Sequence, residues 1–155
     1  MKPRLEELTV RDFRSIRGEL VIPLNAQIVL VHGPNGAGKT SLVSALELGL
    51  TGDVAGLRRN DSKIERHLVN RDADYASINL RAGGLSRTEA SFDIKAGQIR
   101  GTALLNQAGR NFFVERSYLS QSTLGRLLDI YQSPASRDQT NTPLTRFVKD
   151  LLGLD

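Results

Sequence analysis

At 155 residues and 17.0 kDa the chain is about one domain in size, and its hydrophobic fraction of 39% suffices for a moderate core. It contains no cysteine, which excludes a disulfide framework, a thiol nucleophile and a thiolate zinc site and is compatible with a cytoplasmic protein. The N-terminus has no apolar signal core and no apolar run approaches membrane length, so a soluble chain with no membrane partner is expected, and 21 Lys+Arg against 17 Asp+Glu give a net charge of +4 that leans towards polyanions.

The segments Leu8–Phe13 and Glu19–Leu24 have strand composition and are separated by a short polar turn, which predicts a hairpin. Pro23 places the end of its second strand at a sheet edge. The run Ile28-Val29-Leu30-Val31 is continuously apolar and β-branched, as a strand buried on both faces would be. It feeds directly into Gly33-Pro34-Asn35-Gly36-Ala37-Gly38-Lys39-Thr40, which fits the phosphate-binding pattern G-x-x-x-x-G-K-[ST] without a gap. A helix should start near Lys39, because Leu42, Ala45, Leu46, Gly49 and Leu50 form one stripe at helical spacing. Strand, loop and helix is the order this motif requires.

The residue types suit the chemistry of phosphate. Glycines let successive N–H groups converge on an anion, and the helix N-terminus adds partial positive charge. Lys39 would reach the β- and γ-phosphates, and Thr40 would ligate Mg²⁺. ATP and Mg²⁺ are the expected cofactors.

Beyond the helix, Thr51 to Gly56 read as a stop and a loop. Arg58, Arg59, Lys63 and Arg66 gather within a short span, either as a solvated face or as contacts to nucleic-acid phosphate. Ser62-Lys63-Ile64-Glu65 reads as a capping box that opens a short helix to about Val69. Alternation of Ala76, Ile78, Leu80 and Ala82, then of Phe92, Ile94 and Ala96, predicts an antiparallel sheet with one wet face. Ile99 to Leu105 can supply a further strand, and the last strand is expected over Asn111–Leu119, delivering Ser120-Gln121-Ser122. Helical spacing returns at Leu124, Leu127, Leu128 and Tyr131. After a polar loop from Ser133 to Asn141, a helix capped by Thr142 and Pro143 runs to Gly153.

Three stretches together, Leu8-Thr9-Val10-Arg11-Asp12-Phe13-Arg14-Ser15-Ile16, Gly33 to Leu42 and Tyr118-Leu119-Ser120-Gln121, resemble the N-terminal lobe of SMC, SbcC and RecF/RecN-type heads among the ABC-type ATPases. The resemblance implies an α/β P-loop NTPase fold of ABC-ATPase head type, lobe I. To this it adds an antiparallel β-sheet and C-terminal helices that lead towards a coiled coil near Asp155. It implies that Gly36, Ala37, Gly38, Lys39, Thr40 and Ser41 cradle the phosphates, and that Gln121 completes the metal shell and positions water. Arg14 and Ser15 are placed near the nucleotide, and Asn35 near the γ-phosphate of a nucleotide shared between heads.

The departures matter as much. Leu127-Leu128-Asp129-Ile130 is no Walker B strand, and Gly83-Gly84-Leu85-Ser86 is no signature segment. His32 and His67 make no metal site by themselves. Without a Walker B carboxylate the chain lacks a second metal anchor and a water-activating Glu, so it should bind ATP better than it cuts it. Residues 1–155 are therefore read as lobe I of a longer protein. Its expected partners are the C-terminal lobe of the same protein, a second head in an ATP-dependent dimer, DNA, and a nuclease subunit. The full protein would act in repair, chromosome maintenance or defence against foreign DNA. A small self-sufficient phosphotransferase and a transporter-type nucleotide-binding fragment remain as alternatives.

Overall fold

The computed structural model describes residues 2–58, 61 and 63–113. The chain divides into two compact units, Met1–Arg110 and Asn111–Asp155, and the first holds the elements that follow, apart from the end of the last helix. Five strands form one antiparallel sheet: β1 Arg4–Arg11, β2 Glu19–Pro23, β3 Tyr75–Gly83, β4 Glu89–Lys95 and β5 Gln98–Thr102, in the order β2-β1-β3-β4-β5. The predicted hairpin is present. β2 is an edge strand that stops at Pro23, whose missing N–H cannot extend a ladder.

Alternation decides the two faces. Leu8 and Val10 of β1, Ala76, Ile78, Leu80 and Ala82 of β3, and Ala90, Phe92 and Ile94 of β4 are buried on one face. Thr9, Ser77, Asn79 and Ser91 alternate with them onto the polar face. Helix α1, Lys39–Thr51, packs on the buried face against β1, β3 and β4. Gly49 makes that approach close, since a Cβ there would stand 3.0 Å from Leu80 Cδ2. Burial on α1 is wider than the predicted stripe. Leu48 and the polar Ser41, Ser44, Glu47 and Thr51 are buried too, with Ser44 donating to the Thr40 carbonyl and Thr51 to the Glu47 carbonyl. The helix stops at Gly52, whose N–H closes on the Leu48 carbonyl.

Several expected boundaries moved for local reasons. Ala96 lies in the β4–β5 turn with Gly97, both at positive φ, 51° and 74°, the geometry of a two-residue hairpin turn that twists with its strands. β5 ends at Thr102 because Leu104 and Leu105 donate their N–H groups to Gly49 and Leu50 at the end of α1. The helix expected from Ser62 is a single 3-10 turn, Ile64–His67, preceded by the carboxylate of Asp61 accepting from Lys63 N. The turn carries no side-chain cap, and Ser62, expected to supply one, lies outside the described residues. A short helix α2, Ala55–Arg58, fills the loop after Gly52.

Two predicted strands are not found as such. Asn111 and Phe112, expected to open a strand, belong to helix α3, Gln107–Phe112. The Asn106 side chain caps this helix by accepting from Gly109 N. Phe113 continues the helical backbone, and the rest of that expected strand from Val114, the helices beyond it and Gln121 lie outside the described residues. The apolar run Ile28–Val31 pairs with no strand among the described residues. Ile28 and Leu30 are 85% and 82% exposed, and Val29 and Val31 are 40% and 41% exposed. A strand exists only through hydrogen bonds to neighbours, and the five-stranded sheet offers this run none.

Candidate phosphate-binding site

The motif residues converge where the sequence placed them. Gly38 is the N-cap of α1, at φ 93°, a backbone conformation that a side chain would strain. Its neighbourhood is filled as well, since a Cβ on Gly38 would lie 3.5 Å from both Ile16 Cγ1 and Ser15 Oγ. Lys39 folds back over the loop, donating from Nζ to the carbonyls of Gly33 and Pro34, each at 2.8 Å. Asn35, Gly36, Ala37 and Thr40 are exposed. The first turn of α1 carries neither a side-chain cap nor an acidic residue, so its positive end is left for an external anion.

The β1–β2 connection forms the second wall. Ser15 and Ser41 bring their hydroxyls within 2.7 Å, which ties this connection to the first turn of α1. Arg14 has φ 54° and donates its N–H to the Leu68 carbonyl. Burial pushes its guanidinium down from the ordinary arginine value, and Nη1 is buried with no hydrogen-bond partner among the described residues. A desolvated cation without a counter-charge is unfavourable and stands ready to accept an anion.

Asn70 was not foreseen. Its Nδ2 donates to the Arg14 carbonyl at 2.6 Å and to the Ile16 carbonyl at 3.3 Å, holding the loop that carries Arg14 and Ser15. The contact spans 56 residues of sequence, and no local spacing announces it. A cavity of about 750 Å³ opens between the β1–β2 connection and the segment 66–73, lined by Arg14, Ser15, Arg66, Asn70 and Arg71 among others and reaching α1 at Ser41.

The basic group after α2 is not uniform. Arg58 is held between Asp53, at 2.7 Å, and Glu65, and the hydrogen bond to Asp53 pushes its pKa up. Lys63 and Arg66 are exposed, and Arg59 lies outside the described residues. Among the described residues no group of three or more His, Cys, Asp or Glu is placed to hold a metal. No described helix is long and apolar enough to cross a membrane.

Residues 7–148 match the model of an AAA domain family. The chain belongs to that family. This AAA domain is 28% identical over 76 residues to the DNA replication and repair protein RecF of Acholeplasma laidlawii, a match that covers 49% of the chain and 20% of RecF. A solved structure of the recombination mediator protein RecF with ATP superposes with a TM-score of 0.52 at 21% identity, over 76% of this chain and 31% of the other. The Smc head domain of Pyrococcus furiosus gives a TM-score of 0.56 at 18% identity, over 86% and 39%. That of Pyrococcus yayanosii gives 0.58 at 15% identity, over 98% and 32%. The fold is that of the N-terminal lobe of an SMC/RecF-like ABC-type ATPase head, and the AAA domain spans a fifth to two fifths of these relatives' lengths.

Proposed function

We propose that this AAA domain is the ATP- and Mg²⁺-binding half of an SMC/RecF-type ATPase head that acts on DNA, in repair, chromosome maintenance or defence against foreign DNA. The observation that carries this reading is the loop itself, with Lys39 over its carbonyls and an uncapped helix end; Arg14, on the β1–β2 connection tied to that helix by Ser15 and Ser41, has a buried Nη1 without a partner among the described residues. These residues fit a magnesium nucleotide. Lys39 and the loop N–H groups would hold the β- and γ-phosphates, Thr40 would hold the cation, and the Ser15–Ser41 pair would fix the wall against α1. Mg²⁺, when bound, neutralises charge on the phosphate oxygens. Gln121 retains its proposed role at the metal and water, and Asn35 its role towards a second head.

Hydrolysis would need a second lobe. The exposed run Ile28–Val31 supports this, because its β-branched residues suit a buried strand and the described residues supply no partner for it. The RecF and Smc relatives are longer by enough to hold such a lobe. The head fold favours this reading over a small phosphotransferase or a transporter fragment. The test is ATP turnover by this chain alone and after mixing with the C-terminal lobe of the same protein. Turnover that rises sharply on mixing is expected; equal turnover in both samples would contradict the proposal.

A further inference from the structure

Ion pairing divides the positive charges around the 3-10 turn into two kinds. Arg58 faces two carboxylates, Asp53 and Glu65, and so presents no net positive charge to a ligand. Asp72 is taken by Arg17 at 3.2 Å, and Asp61 faces His67 at 4.0 Å. Lys63, Arg66, Arg71 and Lys95 make no ion pair among the described residues and are exposed. Asp74, at the entry to β3, likewise makes no ion pair among the described residues and subtracts one charge from this group.

The fold brings these cations together although they are spread along the sequence. The 3-10 turn that carries Arg66 packs on β5, and a Cβ placed on Gly97 would lie 3.5 Å from Arg66 Cγ. Arg66 therefore lies along the β4–β5 turn, with Lys95 at the foot of that turn in register with Gln98. Arg71 and Arg66 line the same cavity, beside Arg14.

We propose that Arg66, Arg71 and Lys95, with Lys63 at their flank, form a ridge that contacts the phosphate backbone of DNA, and that Arg58 is a structural brace outside it. This rests on the DNA reading above and assigns it a surface. Unpaired, exposed cations with long stems are the groups that release counterions from DNA on binding, whereas a cation already neutralised by carboxylates releases none. On the polar sheet face Ser77 and Ser91 offer hydroxyls, whereas Asn79 already donates to Glu89 and the exposed Asp93, two residues from Lys95, subtracts a charge. The ridge starts at the wall of the cavity that Arg14, Ser15 and Ser41 also line.

The experiment is fluorescence anisotropy of a labelled short DNA duplex titrated with the full chain at several salt concentrations, with a fluorescent ATP analogue titrated in parallel. Arg66→Gln, Arg71→Gln and Lys95→Gln should each weaken DNA binding several-fold and lower the slope of log affinity against log salt by about 0.9. Lys95→Gln should leave binding of the analogue unchanged. Arg58→Gln should leave the salt slope as it is. Loss of slope in Arg58→Gln with none in the other three would overturn the ridge while keeping DNA as the ligand. Loss of nucleotide binding without loss of DNA binding in Arg66→Gln and Arg71→Gln would assign those residues to the nucleotide instead. Absence of DNA binding by the unaltered chain at low salt would overturn the DNA reading and the ridge together.

Discussion

The antiparallel sheet and the run Ile28–Val31 are both rich in Val, Ile and Leu, yet they end in opposite conditions. In β3, Ile78 and Leu80 are buried between strand neighbours and α1, while Ile28 and Leu30 stand in solvent. Composition is the same; the supply of partners differs. β3 has β1 and β4 in register on either side, and the run before the phosphate loop has no strand beside it among the described residues. Apolar patterning reports the environment a segment is suited to, and only topology shows whether the chain provides it. The contrast explains how one chain can carry a packed sheet and an exposed glycine-rich loop.

The largest effect that sharpens this contrast should come from the sheet. Leu80→Ala, which removes a fully buried side chain under Gly49, should cost about 2–5 kcal/mol of stability in urea unfolding. A cost near zero would mean that the sheet is not the structural core. Lys39→Ala should weaken Mg²⁺-ATP binding by about 3 kcal/mol, roughly 100-fold, in calorimetric titration while leaving the urea midpoint in place. A shift in the midpoint as large as that for Leu80→Ala would make the lysine a structural residue. Ser15→Ala leaves Ser41 without its partner at 2.7 Å and should cost about 0.5–1.5 kcal/mol in nucleotide affinity. The smallest effect is expected at Leu30→Ser, within about 0.5 kcal/mol in unfolding of this chain and with less self-association by light scattering. A loss comparable to that at Leu80 would show that the run is already buried in the folded chain.

What could be read from the sequence follows the same division. The hairpin, β3, β4 and α1 are set by local period and by turn residues such as Gly97 and Gly52, so they were legible. The strand expected at Asn111 failed because Asn106 caps a helix there, a side-chain effect that outweighs short apolar alternation. At the candidate site, Gly33 to Ser41 were expected from their spacing and Arg14 with Ser15 from resemblance, and the described structure ties the two stretches together through Ser15 and Ser41. Asn70 was invisible because its partners are 54 and 56 residues away. The pairing of Arg58 was hidden for a related reason. Asp53 and Glu65 meet it only after the chain turns through α2 and the 3-10 turn.

This chain is expected to bind a magnesium nucleotide and to need a second lobe to hydrolyse it. The most direct test is a Mg²⁺-ATP titration of the chain with phosphate release followed in the same sample and Lys39→Ala as control. Saturable binding that the control lacks, with no steady release of phosphate, is the predicted result. Steady turnover by the chain alone, or binding that survives Lys39→Ala, would contradict it.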